Sequence, residues 1–249
     1  MTRGADIRME KHIIDLAPWV VATHALVHFD TLERLIRVGR DALTTELDNL
    51  HKAMDADYAA FTPEDDEGDY LAHVNDEYIE VSETLPCLYW YSQFLITYSF
   101  FEKALNALCM SFQKKNGYSV SLKDMSGQGI NRAKLYLSKI CRIGAPFKLP
   151  EWNQIALAAE VRNAIAHGSG YIDYRPNDKG SLAARLMYKN VEVKTEVSNQ
   201  EDAQIILGED FVLDCVKTYR VLLAEIGGLG RDFITPKHGL PSGLEPREI

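Results

Sequence analysis

The sequence predicts an all-α fold, a helical bundle with a small β-hairpin inserted before its last helix. Apolar residues recur at helical spacing along most of the 249-residue chain, a period that is typical of amphipathic helices. Alternation of apolar and polar residues appears in "LMYKN" and "VEVKTEV", which favours two short paired strands. We expect a single domain over residues 1–230, with the β insertion at about 182–208. An extended arm or disordered tail, rich in glycine and proline, is expected over 231–249.

The N-terminal half is predicted to hold two long helices. Apolar residues at helical spacing run over 18–54, and Pro18 suits the first turn of a helix. Gly39 marks a point where this helix is expected to bend or break. The acidic loop "TPEDDEGD" and a shorter helix near 70–83 follow, and then a helix from Pro86 to about residue 115 is apolar on nearly all sides at first. That distribution predicts a central, buried helix.

The C-terminal half is predicted to alternate shorter elements with loops. The segment "INRAKLYLSKICRI" has its apolar residues on one side and its basic residues on the other, as an amphipathic helix does. A second helix is expected from Pro150 or Glu151 to His167, with Gly168 as its left-handed cap. The stretch "QIILG" favours a third short strand, and residues 209–226 return to helical spacing.

Charge is separated along the chain. The net charge is −9 at neutral pH, which argues against a general affinity for nucleic acid. Residues 53–84 hold eleven acidic residues and no Lys or Arg, whereas residues 111–148 hold eight basic residues and a single acidic one, Asp124. The basic segment directly precedes the helix that ends at His167. Two interpretations stay open for it, a solvated helix face or a track for phosphate groups.

Several classes of protein have no support in the sequence. The four cysteines lie far apart without a C-x-x-C pair, so we expect free thiols in a cytoplasmic protein. Polar residues interrupt the longest apolar stretch, "PCLYWYSQFLITYSFF", which favours a buried helix over a membrane span. His24 and His28 lack an evident third ligand, so no metal or cofactor is expected. The P-loop, nucleophile-elbow and H-E-x-x-H motifs do not occur.

One short stretch, "EVRNAIAHGSG", combines a core-like helix with polar residues that have no evident place in a core. Asn163 and His167 lie four residues apart and therefore share a helix face. Arg162 and His167 lie about 140° apart around the helix, so the arginine has to reach around to the same place. An imidazole suits general acid or base chemistry near neutral pH. Asn163 can orient that ring or bind a phosphate oxygen, and Arg162 can present a planar fork to phosphate.

The form R-N-x-x-x-H at the end of a helix, within residues 152–171, resembles the signature of the HEPN superfamily, which includes many RNA-cleaving toxins and phage-defence effectors. The resemblance implies a HEPN-like helical bundle in which two motif helices of a homodimer form one composite site. It also implies metal-independent endoribonuclease activity, with 2′-OH attack, 2′,3′-cyclic phosphate ends, and Arg162, Asn163 and His167 as catalytic residues. Glu102, on the long apolar helix, would be a supporting residue, because several branches of the family carry an acidic residue there.

The resemblance also implies partners. RNA would be the substrate, an antitoxin or another defence-system protein would be a partner, and no membrane is expected. In some HEPN toxins a partner enzyme modifies a tyrosine two places after the motif histidine, but Ser169 holds that place here and the first tyrosine is Tyr171. The alternative is a non-catalytic HEPN-like module that dimerises or binds a nucleotide or partner protein, which the acidic overall charge favours.

Overall fold

A computed structural model of the chain describes residues 16–60, 78–175, 177–195 and 201–229. Most of these residues are helical, which confirms the mainly helical fold with a small β insertion. The described residues form six α-helices, which are α1 (Pro18–Ala60), α2 (Leu85–Asn116), α3 (Gly129–Lys139), α4 (Pro150–Gly168), α5 (Leu182–Tyr188) and α6 (Glu209–Gly227). The tail over 231–249 and most of the helix expected near 70–83 lie outside the described residues. Helix α4 carries the R-N-x-x-x-H motif and is called the motif helix below.

A small antiparallel sheet follows the motif helix. Its strands are β1 (Tyr171–Asp173), β2 (Glu192–Thr195) and β3 (Asp202–Ile206), in the spatial order β1-β3-β2. Tyr171 pairs with Gln204, and Glu192 pairs with Ile206. The strands expected in "VEVKTEV" and "QIILG" are therefore confirmed, and they pair with each other.

The prediction of a strand in "LMYKN" is wrong, because this stretch belongs mainly to helix α5. Ser181 caps the helix, since its hydroxyl oxygen accepts a 3.2 Å hydrogen bond from the backbone N–H of Ala184. Ala183 and Leu186 are both buried. Residues three apart share a helix face but lie on opposite faces of a strand, so only the helix buries both against one core.

Helix α1 continues through Gly39, so the expected break does not occur. The glycine serves packing instead. A Cβ at Gly39 would lie 1.6 Å from the hydroxyl oxygen of Tyr89 in α2, so the tyrosine side chain would have to move. The absent side chain therefore makes room for the tyrosine ring beside α1.

Two compact units divide the chain, and each draws on separated segments. The described parts of the first unit are residues 16–26, 104–146 and 220–229, and those of the second unit lie within 27–103 and 147–219. The boundary expected near residue 230 stays a prediction, because the residues from 230 onward lie outside the described part of the chain. In the second unit, the ring of Tyr219 stacks on that of Phe101 with 4.2 Å between centroids.

The motif helix is fixed in the second unit by its apolar face. The buried residues of this face are Trp152, Ile155, Leu157, Ala158, Val161 and Ile165. Burial stabilises the fold by about 1.5–3 kcal/mol for each large aliphatic or aromatic side chain. The polar residues of the motif therefore project from a helix whose position the core determines.

The first unit is tied together by side-chain hydrogen bonds to backbone carbonyl groups. The hydroxyl of Tyr136 in α3 donates to the carbonyl oxygen of Val120 at 2.9 Å. The Cys109 thiol in α2 donates to the carbonyl oxygen of Ala133 at 3.8 Å. These contacts fix α3 against the end of α2 and the connection between the two helices.

Candidate functional site

The motif helix starts as its sequence dictates but ends one residue later than expected. Leu149 is the N-cap and Pro150 opens the helix, where a proline costs no hydrogen bond. Gly168 is still helical, so its expected role as the left-handed cap is wrong. Ser169 takes the left-handed conformation instead, with φ 52°, and its backbone N–H donates to the carbonyl oxygen of Ala164.

Gly170 clamps the end of the motif helix to the sheet. Its carbonyl oxygen accepts a 3.0 Å hydrogen bond from the N–H of Ile205 in β3, and the buried Tyr91 hydroxyl donates to the carbonyl oxygen of Ile205. A Cβ at Gly170 would lie 2.0 Å from the Tyr91 hydroxyl oxygen, and the backbone φ is +88°, so glycine is required. Burial raises the pKa of Tyr91, which keeps this donor protonated. The clamp therefore holds the end of the helix that carries His167.

Asn163 and His167 line the same open cleft, as their four-residue spacing predicts. The cleft has a volume of about 620 Å³ and lies between the end of the motif helix and the segment that leads through β1 to α5. Both side chains are exposed. Within the described part of the chain, the His167 ring makes no hydrogen bond or ion pair. The imidazole is therefore open to a ligand.

Arg162 lies beside Asn163 and is half-buried. Its Nη1 donates a 3.1 Å hydrogen bond to Oδ1 of Asn163. This partner is a neutral amide, and Arg162 has no ion pair with a carboxylate of the residues that the structure describes. Its remaining guanidinium N–H groups therefore stay able to bind a phosphate group.

Glu102 and Arg162 act on the same hydroxyl group, that of Tyr98. The pKa of Tyr98 is raised to about 12, mainly by burial and also by the charge of Glu102, while the charge of Arg162 lowers it. The two charged side chains therefore lie in one neighbourhood. No hydrogen bond joins Glu102 to Arg162 or Asn163 among the described residues, so the supporting role of Glu102 stays a prediction.

The cleft has a second wall whose charges the motif did not reveal. Arg175 and Asp173 form a 3.5 Å ion pair, with side chains 70% and 80% exposed. Asp178 accepts a 2.8 Å hydrogen bond from the backbone N–H of Gly180. All three charged residues line the cleft. The run "DYRPND", which begins a few residues after His167, was the sequence signal for these charges, because residues that closely follow a helix lie near its end.

Helix α5 is joined to the motif helix by an ion pair. Both Nη atoms of Arg185 donate to the two carboxylate oxygens of Glu160, at 2.9 Å for Nη1 and Oε1. The side chains are 39% and 46% exposed, so the pair adds at most about 1 kcal/mol to stability. Its two parallel bonds fix the direction as well as the distance between the helices. The pair therefore positions α5, whose first residue lines the cleft.

In comparisons with known proteins, no family model, curated protein or solved structure matches this chain. Among the described residues, no group of three or more His, Cys, Asp or Glu side chains is arranged to hold a metal ion. No helix in that part of the chain combines the length and the hydropathy needed to cross a bilayer. The chemistry of the cleft follows from its own residues, which offer an exposed imidazole and the amide of Asn163. Arg162 binds that amide but is not among the residues that line the cleft.

Proposed function

We propose that this protein is a metal-independent endoribonuclease whose active site is completed by a second copy of the chain. One observation carries the proposal: Asn163 and His167 are exposed in a single cleft, at the end of a helix whose other face is core. An imidazole without a protein partner suits proton transfer to and from a ligand. Arg162, bound to the neutral amide of Asn163, supplies a cation next to a residue that lines the same cleft. The resemblance to the HEPN superfamily supports the same function.

In the proposed reaction, one His167 imidazole accepts the proton of a ribose 2′-OH. The 2′ oxygen attacks the adjacent phosphorus, and the bond from phosphorus to the 5′ oxygen breaks as the new bond forms. Arg162 stabilises the additional negative charge on the phosphate oxygens. A second imidazole, initially protonated, donates its proton to the leaving 5′ oxygen. The products are a 2′,3′-cyclic phosphate and a 5′-hydroxyl group.

A homodimer is part of the proposal because the reaction uses two imidazoles and one chain has one R-N-x-x-x-H motif. A two-fold axis places the same surface of each copy against the other. Two motif helices that meet at such an axis would supply both His167 rings and both Arg162 guanidinium groups. The proposed setting is a cytoplasmic toxin or phage-defence effector that an antitoxin or another defence-system protein controls.

Cleavage of a labelled single-stranded RNA in excess EDTA tests this function. The inactive variant is His167→Ala, and the matched control is His51→Ala, because His51 is an exposed histidine on α1. Wild type and the control are expected to cleave at similar rates. His167→Ala is expected to lose about 100- to 10,000-fold in rate, the usual contribution of a general acid or base. Identical RNA after incubation with wild type and His167→Ala would end the proposal.

A second candidate function is favoured by the carboxylates of the cleft. Asp173 and Asp178 line it together with His167, and negative side chains repel phosphate. In this alternative the protein is a non-catalytic module that dimerises or binds a nucleotide or partner protein. Dimers that leave RNA intact and lose ligand or partner binding in Asp178→Asn would support it.

A further inference from the structure

We infer that single-stranded RNA docks on the first unit at the C-terminal end of α2, with Tyr118 stacking on a base and Lys115 and Lys123 contacting phosphates. The inference rests on the proposed function, because it names the surface that holds the proposed substrate. All of the residues that carry it lie within 104–146, in the first unit.

Residues 104–146 are strongly basic in a chain that is acidic overall. They hold seven Lys and Arg residues and one carboxylate, Asp124, whereas the whole chain has a net charge of −9. Asp124 is engaged locally, because its Oδ2 accepts 2.7 Å hydrogen bonds from both the N–H and the hydroxyl of Ser121. Lys115 and Lys123 are exposed. Concentrated positive charge attracts a polyanion to one surface, whereas the remainder of an acidic protein repels it.

The end of α2 turns Tyr118 back beside the last lysines of the helix. Gly117 has φ +64°, a left-handed conformation that glycine adopts readily. The N–H of Gly117 donates to the carbonyl oxygen of Lys114 at 3.4 Å, and that of Tyr118 donates to the carbonyl oxygen of Gln113 at 3.1 Å. This pair of hydrogen bonds is the Schellman arrangement, which reverses the chain at a helix end. The backbone of Tyr118 is thereby fixed next to the final turn of α2.

An open cleft of about 480 Å³ lies at this helix end. It is lined by Met110, Gln113, Lys114, Gly117 and Tyr118. The lining combines an aromatic ring, a cation, a side-chain amide and an apolar side chain. Stacking of a base on an aromatic ring tolerates any base sequence, while neighbouring cations bind the backbone. The combination suits single-stranded RNA, whose bases are free to leave a stack.

Interaction with the carbonyl groups of a helix end is a structural role for some of these lysines but not for all of them. A lysine in the last turn of an α-helix interacts with the unpaired carbonyl groups there, which accounts in part for Lys114 and Lys115. Lys123 lies in a short 3-10 turn, Leu122–Asp124, outside the α-helices, and is exposed. Helix capping therefore does not account for the exposed cation of Lys123, whereas contact with a phosphate backbone does.

The experiment measures the binding of a labelled oligouridylate by fluorescence anisotropy, with the full chain in a His167→Ala background so that the RNA stays intact. Tyr118→Ala is expected to weaken binding about 5- to 150-fold, whereas Tyr118→Phe keeps the ring and the affinity. Lys115→Glu and Lys123→Glu are expected to weaken binding and to reduce the slope of log K against log salt by about 0.7 for each phosphate that is no longer bound. Lys52→Glu is the matched control, since Lys52 is an exposed lysine of the second unit.

Two results would overturn the inference. The first is that Tyr118→Ala and Lys115→Glu bind RNA with the same affinity as the control Lys52→Glu. This result includes the case in which none of the three variants binds RNA. The second is an equal loss of affinity in Tyr118→Phe and Tyr118→Ala at equal thermal stability, because the ring would then not be the platform. Failure of the proposed function is distinguishable, since it appears as uncleaved RNA with the wild-type protein, whereas binding is measured without cleavage.

Discussion

The Nη1 atom of Arg162 lies 3.1 Å from Oδ1 of Asn163, so the two adjacent motif residues bind each other. Asn163 also faces the cleft that His167 lines. The sequence predicts that Asn163 orients the imidazole or binds phosphate, but its carbonyl oxygen is engaged by the arginine. Asn163 therefore positions the guanidinium group of Arg162, a residue that lies about 140° around the helix from His167.

Substitutions at this pair are expected to lower the rate of RNA cleavage to different extents. Arg162→Lys keeps the charge but loses the planar fork, so we expect kcat to fall about 100-fold, as for loss of one transition-state donor. Asn163→Ala removes only the hydrogen bond that positions the arginine, which corresponds to about 1 kcal/mol and a fall of about five- to tenfold. Steady-state kinetics on a fluorogenic RNA substrate measures both. Wild-type kcat in both variants would exclude a role for the pair in catalysis.

The charges on the second wall of the cleft are expected to act on substrate binding rather than on chemistry. Arg175→Ala removes a cation and should raise KM for RNA about threefold to tenfold with little change in kcat, because exposed charges interact weakly in water. Asp173→Asn removes a carboxylate from the same ion pair and should lower KM. The two variants control for each other, since KM is expected to rise in Arg175→Ala and to fall in Asp173→Asn. Equal changes of KM in the same direction in both variants would contradict a direct contact between these side chains and phosphate.

The glycines at the end of the motif helix are expected to respond oppositely to alanine. Gly170→Ala forces a Cβ to 2.0 Å from the Tyr91 hydroxyl oxygen at φ +88°, so we expect destabilisation by about 2–4 kcal/mol. At Gly168 a Cβ meets nothing within 4 Å and the residue is helical, so alanine should stabilise by up to about 1 kcal/mol. Urea unfolding followed by circular dichroism measures both. Equal stability of the two variants would show that Tyr91 does not clamp this end.

Buried thiols are expected to make stability fall at alkaline pH. Burial raises the pKa of Cys141 to about 11 and that of Cys215 to about 12. A thiol whose pKa is raised by folding contributes stability that is present below its ordinary value of 9.0 and is lost as pH rises through the folded value. The free energy of unfolding should therefore decrease between pH 9 and pH 12, as measured by urea titration. A background of Cys141→Ala and Cys215→Ala should show a shallower decrease, and an unchanged one would count against this cause.

The long elements of the fold follow from the sequence because each repeats its apolar period many times. The spacing of apolar residues correctly predicts the positions of helices α1, α2 and α4. Helix α5 does not, because the cap at Ser181 and the joint burial of Ala183 and Leu186 outweigh a short alternation in "LMYKN". Strand β1 has three residues, too few to show a period. Such short elements are decided by caps and tertiary contacts.

The candidate site was predictable only where one helix determines it. The shared face of Asn163 and His167 follows from their spacing alone. The cleft wall with Asp173 and Arg175 depends on where β1 and α5 lie, and that placement comes from the clamp at Gly170 and the ion pair with Glu160. These contacts join residues that are distant in sequence. No local pattern encodes them.

A composite site can be tested with a purified heterodimer, made with two affinity tags, that pairs one wild-type subunit with one His167→Ala subunit and whose cleavage rate is measured in EDTA. A composite site needs both imidazoles. The heterodimer is therefore expected to cleave RNA nearly as slowly as the His167→Ala homodimer, while a heterodimer with a His51→Ala subunit keeps the wild-type rate. A rate of half the wild-type value would rule out a composite site, because each subunit would then act alone.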